Sequence, residues 1–183
     1  MSSVRSLTVT GYKSIRELRA FPLNDLNVLI GANGAGKSNF IGLFRLLNEM
    51  YEQQLQLFIQ TQGGPDTMLH FGRGVTDRLH AEFYFANNGY LFDLVPTQDN
   101  RLVFEREVSK FLGVYFNTQP SATLGMGHDE SKLKEAKDKY SPYVRESVSH
   151  WRVYHFHDTS ERARVKQRHA ANDNLRLMTD AAY

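Results

Sequence analysis

The stretch "LNVLIGANGAGKSNFIGLFRLL", Leu26 to Leu47, joins three unlike pieces: five mostly apolar residues, a loop with three glycines, and an amphipathic run. The middle piece, Gly31-Ala32-Asn33-Gly34-Ala35-Gly36-Lys37-Ser38, fits the phosphate-loop spacing G-x-x-x-x-G-K-[ST]. A triphosphate is a compact polyanion, best held by several backbone N–H groups. Glycines let a chain close around it without Cβ clashes. A helix starting near Ser38 adds unpaired N–H groups and the positive end of its dipole. The backbone of Asn33, Gly34, Ala35, Gly36 and Lys37 is therefore expected to line the cradle. Lys37 is expected on the β- and γ-phosphates and the Ser38 hydroxyl on Mg²⁺. The flanks agree with this reading. Leu26 to Ile30 reads as a short buried strand. Phe40, Phe44, Leu47, Tyr51, Leu55 and Phe58 recur at spacings of three and four, which predicts one helix from Ser38 to about Gln60.

The bulk composition sets the limits. The chain has 183 residues, 41% hydrophobic and 23% charged, which is ordinary for one globular domain with a real core. A net charge of +2 does not by itself argue for nucleic acid. With no cysteine, disulfides and thiolate metal sites are excluded. No signal-peptide pattern and no run of about 18 apolar residues occurs, so a soluble cytoplasmic protein is expected.

Further strands are expected at Val4–Thr10, ended by Gly11, and at Ile15–Phe21, ended by Pro22. Leu79–Ala86, Tyr90–Pro96 and Arg101–Val108 read as an antiparallel meander, with a hairpin turn at Asn88-Gly89 and room for extension by Phe111–Phe116. A glycine-rich loop is expected over Thr61–Thr76 and a mobile polar loop over Asn117–Asp129. A charged helix, interrupted near Pro142, is expected from Glu130 to about His150, followed by a strand at Trp151–Phe156. Trp151 is assigned to the core. The organisation is one lobe over 1–183: strands, phosphate loop and helix (1–62), meander (77–116), helix and strand (130–160), and an incomplete tail (161–183).

Residues 4 to 47 resemble the N-terminal end of ABC-type ATPase heads of the RecF/SMC/OLD group. Those heads typically show a strand, a short F/Y-K-S element, a second strand, an apolar strand and then G-x-N-G-x-G-K-S-N. Here Gly11-Tyr12-Lys13-Ser14, Asn33 and Asn39 supply the matching positions. The resemblance implies an α/β P-loop NTPase, specifically the N-terminal lobe of such a head with an antiparallel β-meander beside the P-loop strand and helix. It implies ATP and Mg²⁺ as cofactors, Lys13 and Ser14 near the base or ribose, and Asn39 within the site. It also implies a homodimer or higher oligomer formed through ATP-dependent head contacts. DNA and a nuclease are the implied partners, in DNA repair, chromosome maintenance or defence against phage. "WRVYHFHDTS", Trp151 to Ser160, resembles the stretch leading into the Q-loop of such proteins, with His157-Asp158 where a glutamine is expected. His157 and Asp158 are thereby further metal candidates.

The hydrolytic half of that family pattern is missing. A Walker B strand needs about four apolar residues ending in Asp-Glu. The one Asp-Glu pair, Asp129-Glu130, follows "GMGH". No "LSGGQ"-like signature occurs, and Thr61-Gln62-Gly63-Gly64 runs into Pro65. The chain alone is not expected to be a competent ATPase; a truncated or split protein, with its C-terminal lobe in another chain, is the expectation. Alternatives are a complete small protein that uses Asp158 and Glu161 for Mg²⁺, a non-catalytic nucleotide-binding interaction module, and a P-loop small-molecule kinase. His155 and His157 would share a strand face as metal ligands or as a polar edge. Arg162, Arg164, Lys166 and Arg168 fit a phosphate backbone or a solvated loop. Lys132, Lys134, Lys137 and Lys139, interleaved with Glu135 and Asp138, read as a solvated helix face.

Overall fold

The computed structural model describes residues 3–112, 120–149 and 151. Ten elements follow in chain order: β1 (Ser6–Tyr12), β2 (Ile15–Pro22), α1 (Lys37–Tyr51), α2 (Leu55–Thr61), α3 (Pro65–Met68), β3 (Leu79–Phe85), β4 (Asn88–Pro96), β5 (Leu102–Phe111), β6 (Ser121–Gly125) and α4 (Ser141–Val148). The six strands form one antiparallel sheet in the order β2-β1-β3-β4-β5-β6. The early strand pair and the meander thus share a sheet, joined where β1 pairs with β3.

Alternation along each strand sends one row of side chains into the core. Leu7 and Val9 of β1, Leu79, Ala81, Phe83 and Phe85 of β3, and Phe92 and Leu94 of β4 are all buried. Leu43, Leu46, Leu47 and Met50 of α1 pack with them in the same cluster. Trp151 joins it partly buried, its ring 5.4 Å from Phe44 and 5.6 Å from Phe85.

Several expectations need correction. The single helix over 38–60 is two, because Gln53 takes a positive φ of 58°. The second helix is capped from afar: the Glu130 carboxylate accepts the Leu55 and Gln56 N–H groups at 2.8 and 3.0 Å. Leu55 and Phe58 stay buried across the break, so the hydrophobic pattern runs on uninterrupted. Gly11 does not end β1; it lies inside it at φ 71°, where an added Cβ would sit 2.3 Å from the Arg78 carbonyl oxygen. The β3–β4 hairpin turns at Ala86-Asn87, with Ala86 at φ 51°. Gly89 already pairs with Tyr84 in the ladder, and a Cβ there would meet the Tyr84 ring at 2.8 Å. Part of the expected polar loop is strand β6, which extends the meander by pairing with β5. Residues 113–116 lie outside the described set. The expected helix from Glu130 is confined to Ser141–Val148, and Pro142 sits in its first turn.

Candidate nucleotide site

The phosphate loop is folded back on itself by local chemistry. The Ala35 N–H donates to the Ala32 carbonyl at 3.2 Å, closing a four-residue turn with Gly34 in its third position at φ 83°. A positive φ there is what favours glycine. Gly36 then adopts φ 89° as the N-terminal boundary residue of α1. A Cβ on Gly36 would lie 2.9 Å from the Ser14 hydroxyl, so packing requires this glycine as well.

The end of α1 is open. It has no side-chain cap and no acidic residue in its first turn. The first intrahelical bond runs from the Phe40 N–H to the Gly36 carbonyl at 2.9 Å. The N–H groups of Lys37, Ser38 and Asn39 therefore have no partner within the helix. Lys37 donates from Nζ to the carbonyls of Gly31 and Ala32 at 2.7 and 2.8 Å, so its half-buried charge is held over the loop. A bound polyphosphate would exchange those two bonds for stronger charge-assisted ones.

The Gly11-Tyr12-Lys13-Ser14 element lies against this loop, with each residue differently engaged. The Ser14 hydroxyl accepts from the Asn39 amide at 2.8 Å. The Lys13 ammonium donates to the Gln62 side-chain oxygen at 3.2 Å. Burial, with Arg45 nearby, pushes its pKa down. Tyr12 is fully buried beneath α1, and burial holds its phenol well above the ordinary range. A Cβ on Gly42 would sit 3.1 Å from that hydroxyl. Gly42 costs helix propensity, and the Tyr12 hydroxyl leaves little room there for a side chain. The sequence signal for the Tyr12–Gly42 pair is a glycine inside an amphipathic helix.

The apolar run before the loop departs most from expectation. Leu26–Ile30 is not a strand, and no backbone hydrogen bond of these residues occurs among the described ones. Leu26, Val28 and Ile30 are 81%, 71% and 91% exposed. Clefts flank the run on both sides. One, of about 650 Å³, is lined by Val28, Leu29, Lys37, Ser38, Phe44 and Trp151 among others. The other, of about 300 Å³, is lined by Ser14, Glu17, Ile30, Gly36, Lys37 and Phe40 among others.

The residues therefore fit a polyphosphate: two left-handed glycines, a row of amides with no partner within the helix, and one lysine. Ser38 lines the larger cleft beside Lys37, where a phosphate-bound Mg²⁺ would be met. The described residues contain no group of three or more histidines and acids able to hold a metal ion. His157, Asp158 and Glu161 lie outside the described residues. Asp129 and Glu130 are committed elsewhere, Asp129 to Arg101 at 2.6 Å and Glu130 to the start of α2.

Residues 26–177 match a protein family described as "AAA domain, putative AbiEii toxin, Type IV TA system". The chain belongs to this family of AAA domains. The match covers the phosphate loop and its helix, and AAA domains are P-loop ATPases related to the RecF/SMC/OLD type. A curated relative is urease accessory protein 2 of Cryptococcus neoformans var. grubii, 28% identical over 169 residues. The alignment takes in 89% of this AAA chain and 13% of that protein's length. No helix among the described residues is long and apolar enough to cross a membrane.

Proposed function

We propose that this AAA domain binds MgATP on residues 33–39, as the nucleotide-binding N-terminal part of a RecF/SMC/OLD-like ABC-type head. The observation that carries the reading is the open, glycine-shaped start of α1, with Lys37 poised over it. Ser38 is the proposed Mg²⁺ ligand, and Ser14 and Asn39 set the loop's position through their hydrogen bond.

Hydrolysis belongs to a larger assembly in this proposal. Leu26, Val28 and Ile30 offer an apolar surface directly before the phosphate loop, with backbone that is unpaired among the described residues. Strands of a complementary lobe, in another chain or in further sequence, would pair there and bring the missing Asp-Glu acids. Head dimerisation on ATP, and work on DNA with a nuclease in repair, chromosome maintenance or phage defence, extend the proposal from the resemblance. A second reading, a nucleotide-binding module without catalysis, is favoured by the structural duties of Asp129 and Glu130.

Nucleotide titration and steady-state ATPase measurements on the 183-residue chain, beside Lys37→Ala, test the proposal. MgATP binding that weakens roughly tenfold to a hundredfold in the variant supports it. Turnover in the isolated chain that disappears with Lys37 would refute the need for a second lobe. Failure of the wild type to bind nucleotide would refute the site.

A further inference from the structure

A third cleft, of about 530 Å³, is lined by Arg16, His70, Phe71, Thr76, Asp77 and Arg78 among others. Its floor is rigid. The His70 N–H donates to the Gly11 carbonyl at 3.0 Å, and His70 Nδ1 lies 2.7 Å from the Lys13 carbonyl oxygen. The Thr76 N–H reaches the Gly72 carbonyl at 2.9 Å, and its hydroxyl donates to the His70 carbonyl at 2.6 Å.

On this fixed base Phe71 is 80% exposed at a φ of 56°. Left-handed backbone is uncommon for a bulky residue, and here no burial of the ring compensates for it. The ring rests edgewise on His70, 4.4 Å between centroids, which leaves its outer side open. Two guanidinium groups share the cleft. Arg16 is exposed and has no hydrogen bond or ion pair among the described residues, while Arg78 is held by Glu105 at 2.7 Å. Asp77, also exposed, is the cleft's one carboxylate.

A held-out aromatic face beside a free guanidinium suits a planar ring that carries an anion. We infer that this cleft binds an unpaired nucleotide, its base stacked on Phe71 and its phosphate paired with Arg16. The site is separate from the phosphate loop and does not depend on the reading of that loop. Asp77 disfavours a second phosphate on its side, so one nucleotide per cleft is expected. The source is either a free nucleotide or a single strand.

The test uses the full 183-residue chain and a fluorescent oligothymidylate of about 15 nucleotides, read by anisotropy at low and moderate salt. Thymidine monophosphate serves as competitor, and MgATP is titrated separately. Phe71→Ala is expected to weaken oligonucleotide binding about tenfold, while Phe71→Trp retains it. Arg16→Ala is expected to weaken binding and to flatten the salt dependence by about 0.7 log unit per log unit of salt. Competition by the monophosphate at comparable concentration assigns the site to free nucleotides; its absence assigns it to strands. Phe71→Ala should keep the wild-type affinity for MgATP. No oligonucleotide or monophosphate binding by the wild type, or equal binding by Phe71→Ala, overturns the inference. So does loss of MgATP binding in Phe71→Ala, which would merge the two sites.

Discussion

Two apolar segments read much alike in the sequence and end in opposite environments. "YLFDLV", in β4, is buried on both faces: Phe92 and Leu94 in the core, Leu91 and Asp93 beneath side chains on the outer face. "LNVLI", before the phosphate loop, stands in solvent. β4 has hydrogen-bonded strands on both sides. Residues 26–30 have none among the described ones. Hydrophobic pattern thus records the burial a segment is built for, and pairing partners decide whether it is reached. The strands of the antiparallel sheet pair with one another, whereas the nucleotide-loop segment has no pairing strand among the described residues.

The contrast can be broken by substitution, beginning in the sheet. Phe83 is fully buried among the rings of Phe44, Phe92 and Trp151. Phe83→Ala is expected to cost about 3–5 kcal/mol, measured by urea denaturation. A cost below about 1 kcal/mol would mean this core is not formed.

Glu107 comes next. It is buried in the core yet fully engaged: Oε1 accepts from the Tyr90 and Ser131 hydroxyls, both at 2.5 Å. Oε2 accepts from His128 Nε2 at 2.8 Å and the Lys132 N–H at 3.0 Å. Glu107→Gln sets an amide donor against donors and should cost about 2–3 kcal/mol. It should also loosen residues 128–133 in hydrogen exchange. Unchanged stability would show that the carboxylate does not hold that segment.

On the outer face, His80 lies 2.6 Å from Asp93 and 3.4 Å from Glu82, with Arg106 on Asp93 and Lys110 near Glu82. Hydrogen bonds to Asp93 and then Glu82 raise the His80 pKa to about 9. Hydrogen bonding to His80 lowers that of Glu82 to about 2. A folded pKa above the ordinary 6.5 adds stability that is complete below that value and lost as pH rises through about 9. Stability should therefore fall between about pH 7 and pH 10, by on the order of 1–2 kcal/mol after solvent screening. His80→Gln should flatten that fall, and an identical pH profile in the variant would contradict the pairing. The smallest effect belongs to the exposed segment. Ile30→Asp should change the stability of this chain by less than about 0.5 kcal/mol; a large loss would show that residue 30 is already buried against something.

Much of the molecule was legible in the sequence for physical reasons. The phosphate loop was readable because Gly34 and Gly36 need positive φ and Lys37 needs its fixed place after them. β1 and β3 were readable because their inward rows alternate. The misses share a cause, since long-range partners override local pattern. Glu130, 75 residues away from Leu55, splits the helix. A one-residue bulge at Glu105, between the Phe104–Leu94 and Arg106–Asp93 pairs, flips the faces of β5. That flip turns Glu107 inward and Val108 outward, which alternation from Leu102 does not foretell. In the site, Ser14 and Asn39 were placed by resemblance alone, and their hydrogen bond across 25 residues lies beyond any local rule. Lys13, named with Ser14, donates to Gln62 across 49 residues.

The most direct test of the nucleotide site is amide hydrogen exchange, resolved by residue, with and without saturating MgATP. The account predicts slowed exchange at the Gly34, Gly36, Lys37, Ser38 and Asn39 amides, because those N–H groups would then donate to phosphate oxygens. Unchanged exchange at these five amides with nucleotide bound would contradict it.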